Sequence, residues 1–480
     1  MLSVFMTDPL GRKRSMIFVN IPLALGWLMI YQGDFYWKIL TGCAFLGLGI
    51  GLMEAPIITY LGEICEPSTR DVLLTFTNIS GTMGTFTIYF LNTLMPWRSV
   101  ALFCLSVPMI TAVAVCFIPE TPQWLLSKNQ TAEAEKSLRW LRGWVSNQVV
   151  AQEFHYLQQH IDRSKSCSTC IEKDLKCTHA LPTLAEKFGE LKRKRTLKPF
   201  FIIMSMFFIA QFSGMNSMRP FLVQIFKAYE NPFPPDRTTA IMSFLEIFAT
   251  LTFTCLVHLI GKRPFYLVMS FGIFISTAVL SLYGFILLPM GYISFERTHQ
   301  SFHVENTMLP YIPLVCLFLW SFFSYCGFLA MPWMLLSEIF PFKSRGIASG
   351  VAAALNYMLG FITRKTYYNL EMTLSLPGAS LFYCVICGCG FILMFLILPE
   401  TENHTLEDIE LHFSDDSKKI TDRTIIKSND VIPLNEVGCS VEETGSVQET
   451  EKAIENSLKN DSESGNSVSD TIRQQKPKIH

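Results

Sequence analysis

The chain has 480 residues, half of them hydrophobic and only 16% charged, with a net charge of −1. Mean hydropathy is +0.32. This balance excludes a globally basic surface of the kind that holds nucleic acid, and apolar residues gathered in long blocks exclude an ordinary soluble protein of two or three domains.

The first fourteen residues, MLSVFMTDPLGRKR, do not form a signal peptide, because the apolar part is short and the basic residues follow it. Insertion is expected to start at the first long apolar block. A bilayer core about 30 Å thick takes a helix of about 20 residues, and backbone groups in lipid must bond within their own segment. About ten transmembrane helices are therefore predicted: 15–31, 36–60, 72–94, 98–118, 198–226, 239–259, 265–288, 309–336, 346–368 and 377–398. Four precede and six follow a polar stretch, 119–197, in which AEAEKSLRWLRGW (132–144) is amphipathic at helical spacing. After 402 the chain is rich in Ser, Asp, Glu and Lys without a period, which reads as disorder. The expected organisation is an all-α polytopic membrane protein with a four-helix half (1–118), a central segment (119–197), a six-helix half (198–402) and a disordered tail (403–480).

Arg12, Lys13 and Arg14 precede the first helix, Lys262 and Arg263 sit in the turn after the sixth, and LKRKRTLK (191–198) ends the central segment. All fall on one side if the helices alternate, which makes that side, both termini and the central segment cytoplasmic. The sequons NQT (129–131) and NHT (403–405) lie on that side and NIS (78–80) within a helix, so all are expected to stay unglycosylated. The 14 cysteines are scattered, several inside apolar runs such as CVICGCG (384–390), as free buried thiols would be. SCSTCIEKDLKCTH (166–179) offers Cys167, Cys170, Cys177 and His179 as zinc ligands, but its spacing departs from the usual patterns and reduced thiols are the preferred reading. No phosphate-cradling loop, metalloprotease motif or Ser/His/Asp constellation is present, so no enzyme, metal or cofactor is expected.

The two halves repeat. LGEICEPSTR (61–70) returns as LSEIFPFKSR (336–345), GRKR (11–14) as GKRP (261–264), and IPETPQWL (118–125) as LPETENHT (398–405). The order is the same each time: Gly-basic turn, two helices, Glu-x6-Arg, two helices, Pro-Glu-Thr. Parallel repeats of this kind place a solute site near the midplane between them.

DPLGRKR (8–14), the two Glu-x6-Arg pairs, PETPQWL, QFSGMN (211–216), MPW (331–333) and PETE (399–402) together resemble the sugar porter family of the major facilitator superfamily. EAPIITYLGEI (54–64) and MNSMRPF (215–221) are most similar to its trehalose-transporter-like members from insects. The resemblance covers residue 8 to about 410 and implies twelve helices. The Gly-basic turn that follows the second helix of the family begins here at Asp8, so two helices are expected to be missing from the start. The resemblance further implies a cytoplasmic ion-pair network that closes the inner gate, made of Asp8, Arg12, Lys13, Glu63, Arg70, Glu338 and Arg345, joined by Glu120 and Glu400. Interfacial charges that merely snorkel are the alternative. Arg263 is the second-half counterpart of the basic turn, without a matching Asp, since position 258 is His.

By residue-by-residue match, Gln211, Asn216, Trp333 and Asn356 are the expected sugar contacts, with Ser213-Gly214 allowing a bend, and Asn78 stands where the family has Gln. A helix–helix hydrogen bond is the plainer role for each amide. Ala210, Gly360 and the run GFLAMPW (327–333) depart from the family pattern, which puts ordinary glucose transport in doubt. Of the costly intramembrane charges, Arg219 is expected to pair with Glu246. Glu54 reads either as a proton-coupling carboxylate or as a hydrogen-bonding partner of nearby backbone. Arg364 and Lys365 are expected to snorkel to the outer surface. The resulting expectation is alternating-access transport of a neutral sugar, trehalose or a hexose, by facilitative uniport in the plasma membrane. A proton-coupled symporter and a non-transporting sensor or inactive short form are the alternatives. The expected partners are a small-molecule sugar and the lipid bilayer.

Overall fold

The computed structural model describes residues 6–7, 9–65, 67–164, 194–289, 291–295, 308–340, 345–402, 404 and 406–414. Asp8, Cys167, Cys170, Cys177, His179, Asn403, Thr405 and the tail beyond 414 lie outside the described residues, as do the side chains of Arg70 and Arg345.

All regular structure among the described residues is helical. The first half holds α1 (Arg12–Tyr31), α2 (Tyr36–Ile64), α3 (Pro67–Leu94) and α4 (Trp97–Phe117). The central segment supplies α5 (Pro122–Ser127), α6 (Thr131–Leu141) and α7 (Asn147–Ser164). Leu125, Leu126 and Ala134 form a small core there, flanked by Phe154 and Leu157. The second half holds α8 (Lys194–Gln211), α9 (Met215–Met218), α10 (Leu222–Ala228), α11 (Pro235–Ile260), α12 (Lys262–Leu287), α13 (Tyr311–Phe323), α14 (Met331–Glu338) and α15 (Arg345–Ile397), followed by α16 (Leu406–Ser414).

Among the described residues, seven helices are long and apolar enough to cross a membrane, or eight if the bent pair Arg195–Gln211 and Met215–Ala228 is one span. Two features separate this count from the ten blocks read in the sequence. The third block, now α3, carries TFTNISGTMGTFT (75–87), whose hydroxyls and amide lower its hydropathy. The last two blocks form one element, α15, of 53 residues. A straight helix of that length would stretch about 80 Å, far beyond a bilayer core of about 30 Å. It is broken at Ser375, φ 67°, just before Pro377. Gly360 and Gly390 both lie against the end of α8, beside Gln211 and Ile209 respectively. Two points that would be about 45 Å apart on a straight helix share one neighbour, so the chain doubles back at Ser375.

The bend expected at Ser213-Gly214 is present: the two parts of the span meet at 41°. Gly214 has φ 93°, and a Cβ there would lie 2.6 Å from the Tyr383 ring. A β-carbon is thus excluded both by backbone conformation and by space. The expected disordered tail needs correction at its start. Ile409 and Phe413, one turn apart on α16, are buried in the second-half core, which gives this short helix an apolar anchor.

The core is unevenly shared. Buried residues from Ile202 to Phe413 form one cluster across the second half. In the apolar spans of the first half 18–22% of residues are buried, against 39–50% in α11 to α15. The halves meet where α3 packs along α11, with Phe86 and Phe244 ring centroids 5.3 Å apart.

Candidate functional site

Two constellations follow from this scaffold, one at the basic turns and one between the halves. Each basic turn is a glycine with positive φ, Gly11 at 92° and Gly261 at 96°, that opens a helix. The first amides of a helix have no partner within it. Glu120 supplies one for α1, accepting from the amides of Arg12 at 2.9 Å and Lys13 at 3.1 Å. Glu400 does the same for α12, accepting from Lys262 at 3.2 Å and Arg263 at 3.1 Å. The Arg12 guanidinium donates to Glu63 at 2.7 and 3.1 Å, and the Lys262 ammonium to Glu338 at 2.7 and 2.8 Å. The next residue reaches a carbonyl: Lys13 to Cys116 at 2.9 Å and Arg263 to Phe395 at 3.0 Å.

The cation facing Glu338 is Lys262, the first residue of its helix, as Arg12 is of the helix in the first half. Lys262 was not among the residues expected at the gate, although GRK and GKR align Arg12 with Lys262 and Lys13 with Arg263. The described pairs Arg12–Glu63 and Lys262–Glu338 each close within their own half. The second cluster has two further members, Glu402 at 3.2 Å from the Lys262 ammonium and His258 at 3.1 Å from Glu402. Burial would raise the Glu402 carboxyl, but His258 and Lys262 outweigh it and hold it below the usual carboxylate range.

Within the second half, the α8 bend brings Gln211 to α15. Its amide nitrogen donates to Asn356 at 2.9 Å, and both side chains are buried. The Gln211 carbonyl oxygen is buried without a hydrogen-bond partner. Trp333 lies beside them, its ring 5.2 Å from Phe207 and 6.0 Å from Tyr357. Tyr357 donates its hydroxyl hydrogen to Glu54 of α2 at 3.1 Å, a polar link between the halves. Glu54 thus meets a side chain, where a nearby backbone group was one of the expectations. Asn216 follows the bend on α9 and is partly exposed, while Asn78 is exposed on α3, and no described contact joins either to the Gln211 group.

Arg219 and Glu246 are brought together at 2.5 Å, with Glu246 fully buried and also accepting from Ser321 at 2.7 Å. The Arg219 guanidinium stands 4.8 Å over Tyr325, and its carbonyl accepts from the Tyr89 hydroxyl of α3 at 3.4 Å. Glu371 escaped the sequence reading: it is fully buried near the end of the first leg of α15 and accepts from the Ser294 amide at 2.6 Å. Arg364 is exposed, and a Cβ at Gly360 would lie 3.1 Å from its Nη1 and 3.2 Å from the Gln211 oxygen. Among the described residues no cluster of three His, Cys, Asp or Glu could hold a metal ion.

Known proteins share this architecture. Residues 1–413 match the family described as Sugar (and other) transporter. The facilitated trehalose transporter Tret1 of Apis mellifera ligustica is 27% identical over 406 residues, covering 84% of this chain and 74% of that protein. The Bombyx mori transporter of the same name is 25% identical over 411 residues, covering 86% and 75%. Among solved structures, the proton:xylose symporter XylE bound to 6-bromo-6-deoxy-D-glucose is similar with a TM-score of 0.61 at 17% identity, covering 85% of each chain. The inward-open xylose transporter XylE from E. coli gives 0.63 at 17% identity, covering 85% and 84%. The fold is that of the major facilitators, in an integral membrane protein that is not an enzyme, and the chain belongs to the sugar transporter family.

Proposed function

We propose that this transporter carries its sugar by alternating access, with the sugar held between the halves on Gln211, Asn356 and Trp333. The observation that carries this reading is the Gln211 oxygen, buried without a hydrogen-bond partner, while its amide nitrogen bonds Asn356, the chain neighbour of the Tyr357 that reaches Glu54 of the first half. Buried polar atoms are nearly always satisfied, so an orphan acceptor next to the contact between two repeats is suited to a sugar hydroxyl. Asn216 is a second-rank contact, one turn beyond the bend. The two basic-turn clusters act as gate elements that lock each half internally, while α3 and α11 hold the halves together at the far end. By likeness to the trehalose transporters, trehalose or a hexose is the first substrate and facilitative uniport the first mode. The basic turns and both termini face the cytoplasm, in the plasma membrane.

Labelled trehalose and glucose uptake by the full chain in a heterologous host, with surface expression verified, tests this. Saturable uptake lost in Gln211→Ala is the expected result. Saturable uptake that Gln211→Ala and Asn356→Ala leave intact would move the site elsewhere. Glu54 favours a second reading, proton symport, since among the described residues its hydrogen bond is to the neutral hydroxyl of Tyr357. Uptake that rises at acidic pH and loses that rise in Glu54→Gln would select symport.

A further inference from the structure

The repeat aligns His258 with Asp8, since each stands three residues before the glycine of its basic turn. The second half thus has a titratable base where the first has a carboxylate. His258 lies in the last turn of α11, with 51% of its side chain exposed. Its Nδ1 is 3.1 Å from one oxygen of Glu402, and the other oxygen is 3.2 Å from the Lys262 ammonium. That ammonium is 2.7 Å from Glu338. The four groups form one row that joins the α11–α12 turn, the end of α14 and the stretch after α15. Around the row stand Glu400, which caps α12, Arg263, which donates to the Phe395 carbonyl, and His404, two residues beyond Glu402. With His258 neutral, the row itself holds two carboxylates and one ammonium. With His258 protonated, its charges balance.

Histidine changes charge between about pH 5 and 8, and the C-terminal end of a helix favours a cation. Half of this side chain meets solvent, so it exchanges protons with the compartment that the basic turns face. Glu338 is the last residue of α14, a leg set apart from α13 by the break at Cys326 and Gly327, where the glycine has φ 98°. The row therefore ties a separate leg to the basic turn and to the end of α15. We propose that His258 is a proton switch on the second basic turn: its protonation completes the row, holds the α14 leg in place and slows sugar transport when the cytoplasmic side turns acidic. The inference rests on the alternating-access reading with the basic turns in the cytoplasm. Its sign is opposite to that of acid-stimulated uptake through Glu54.

The test uses the full chain in a heterologous host, with initial uptake of labelled glucose and trehalose measured at constant external pH. A permeant weak acid lowers the cytosolic pH from about 7.5 to about 6. Uptake by the native chain should fall about threefold, the worth of one exposed ion pair. His258→Gln should abolish this response, and so should Glu402→Gln, which leaves the added proton without a carboxylate to meet. His258→Arg, charged at both pH values, should hold uptake at the low level throughout. If His258→Gln fails to insert, His258→Arg alone must show low uptake that does not respond to pH. Saturable uptake by the native chain that ignores cytosolic pH overturns the switch and leaves the transport reading standing, as does a full response in His258→Gln. No uptake of either sugar by the inserted chain overturns the transport reading and the effect on transport together. Thermal melting of the purified protein then decides the switch itself. A partnered histidine stabilises where it is charged and ceases to as pH rises. The native chain should therefore melt above His258→Gln at about pH 6 and lose that advantage by about pH 8. A difference that is constant across this range overturns the switch.

Discussion

The two basic turns perform the same task with different chemistry. Around Gly11, among the described residues, Arg12 faces Glu63, and both side chains are 15% exposed. Around Gly261, one lysine that is 8% exposed lies between two carboxylates, Glu338 and Glu402, and a histidine stands behind the second. The caps are alike, Glu120 and Glu400, and so are the carbonyl contacts of Lys13 and Arg263. The repeat thus preserves the geometry of a glycine-started, carboxylate-capped helix and lets the ion pair vary. A guanidinium can satisfy one carboxylate with two nitrogens, whereas an ammonium is a point charge that can be shared by two carboxylates. Lys262 is the more deeply buried cation, 8% exposed against 15% for Arg12.

Lys262→Ala should have the largest effect, since it leaves two carboxylates around a vacated, largely buried position. Breaking one partner from such a site costs about 3–5 kcal/mol, read as a fall in thermal stability of the purified protein in detergent. Arg12→Ala removes a less deeply buried cation, 15% against 8% exposed, and should cost about 1.5–3 kcal/mol. Equal losses for the two variants would erase the distinction drawn between the turns. Glu120→Ala and Glu400→Ala should each cost about 0.5–2 kcal/mol and match each other closely. A cap loss confined to one half would mean that only one turn has the inferred geometry. The smallest effect is acid dependence. Because the Glu402 carboxyl is held low in the folded chain, its contribution is full above the ordinary carboxylate pKa and disappears as pH falls through the lowered one. Thermal stability of the native chain should therefore converge on that of Glu402→Gln at acidic pH, and parallel curves at all pH values would contradict the assignment.

How much of this was legible in the letters depended on whether a signal was local. The basic turns could be read because glycine, two cations and a distant Pro-Glu-Thr recur in the same order. The Arg219–Glu246 contact was also readable, since each charge stands in an apolar block and both blocks meet at one outer loop. Lys262 was legible in the register of the repeat, which aligns it with Arg12. The Ser375 break lies in SLP (375–377), two residues before Pro377 and between the two apolar blocks read in the sequence. The partner of Glu54, by contrast, lies 303 positions away on α15. No periodicity links two such residues.

The central claim is that the two halves present one sugar site to each side of the membrane in turn. The most direct measurement is counterflow in liposomes containing the full chain, preloaded with unlabelled sugar and given labelled sugar outside, using whichever of glucose or trehalose is taken up. Alternating access predicts a transient accumulation of label above its equilibrium level, lost in Gln211→Ala. Flux indifferent to preloading would contradict the account, because a site open to both sides at once cannot exchange one sugar for another.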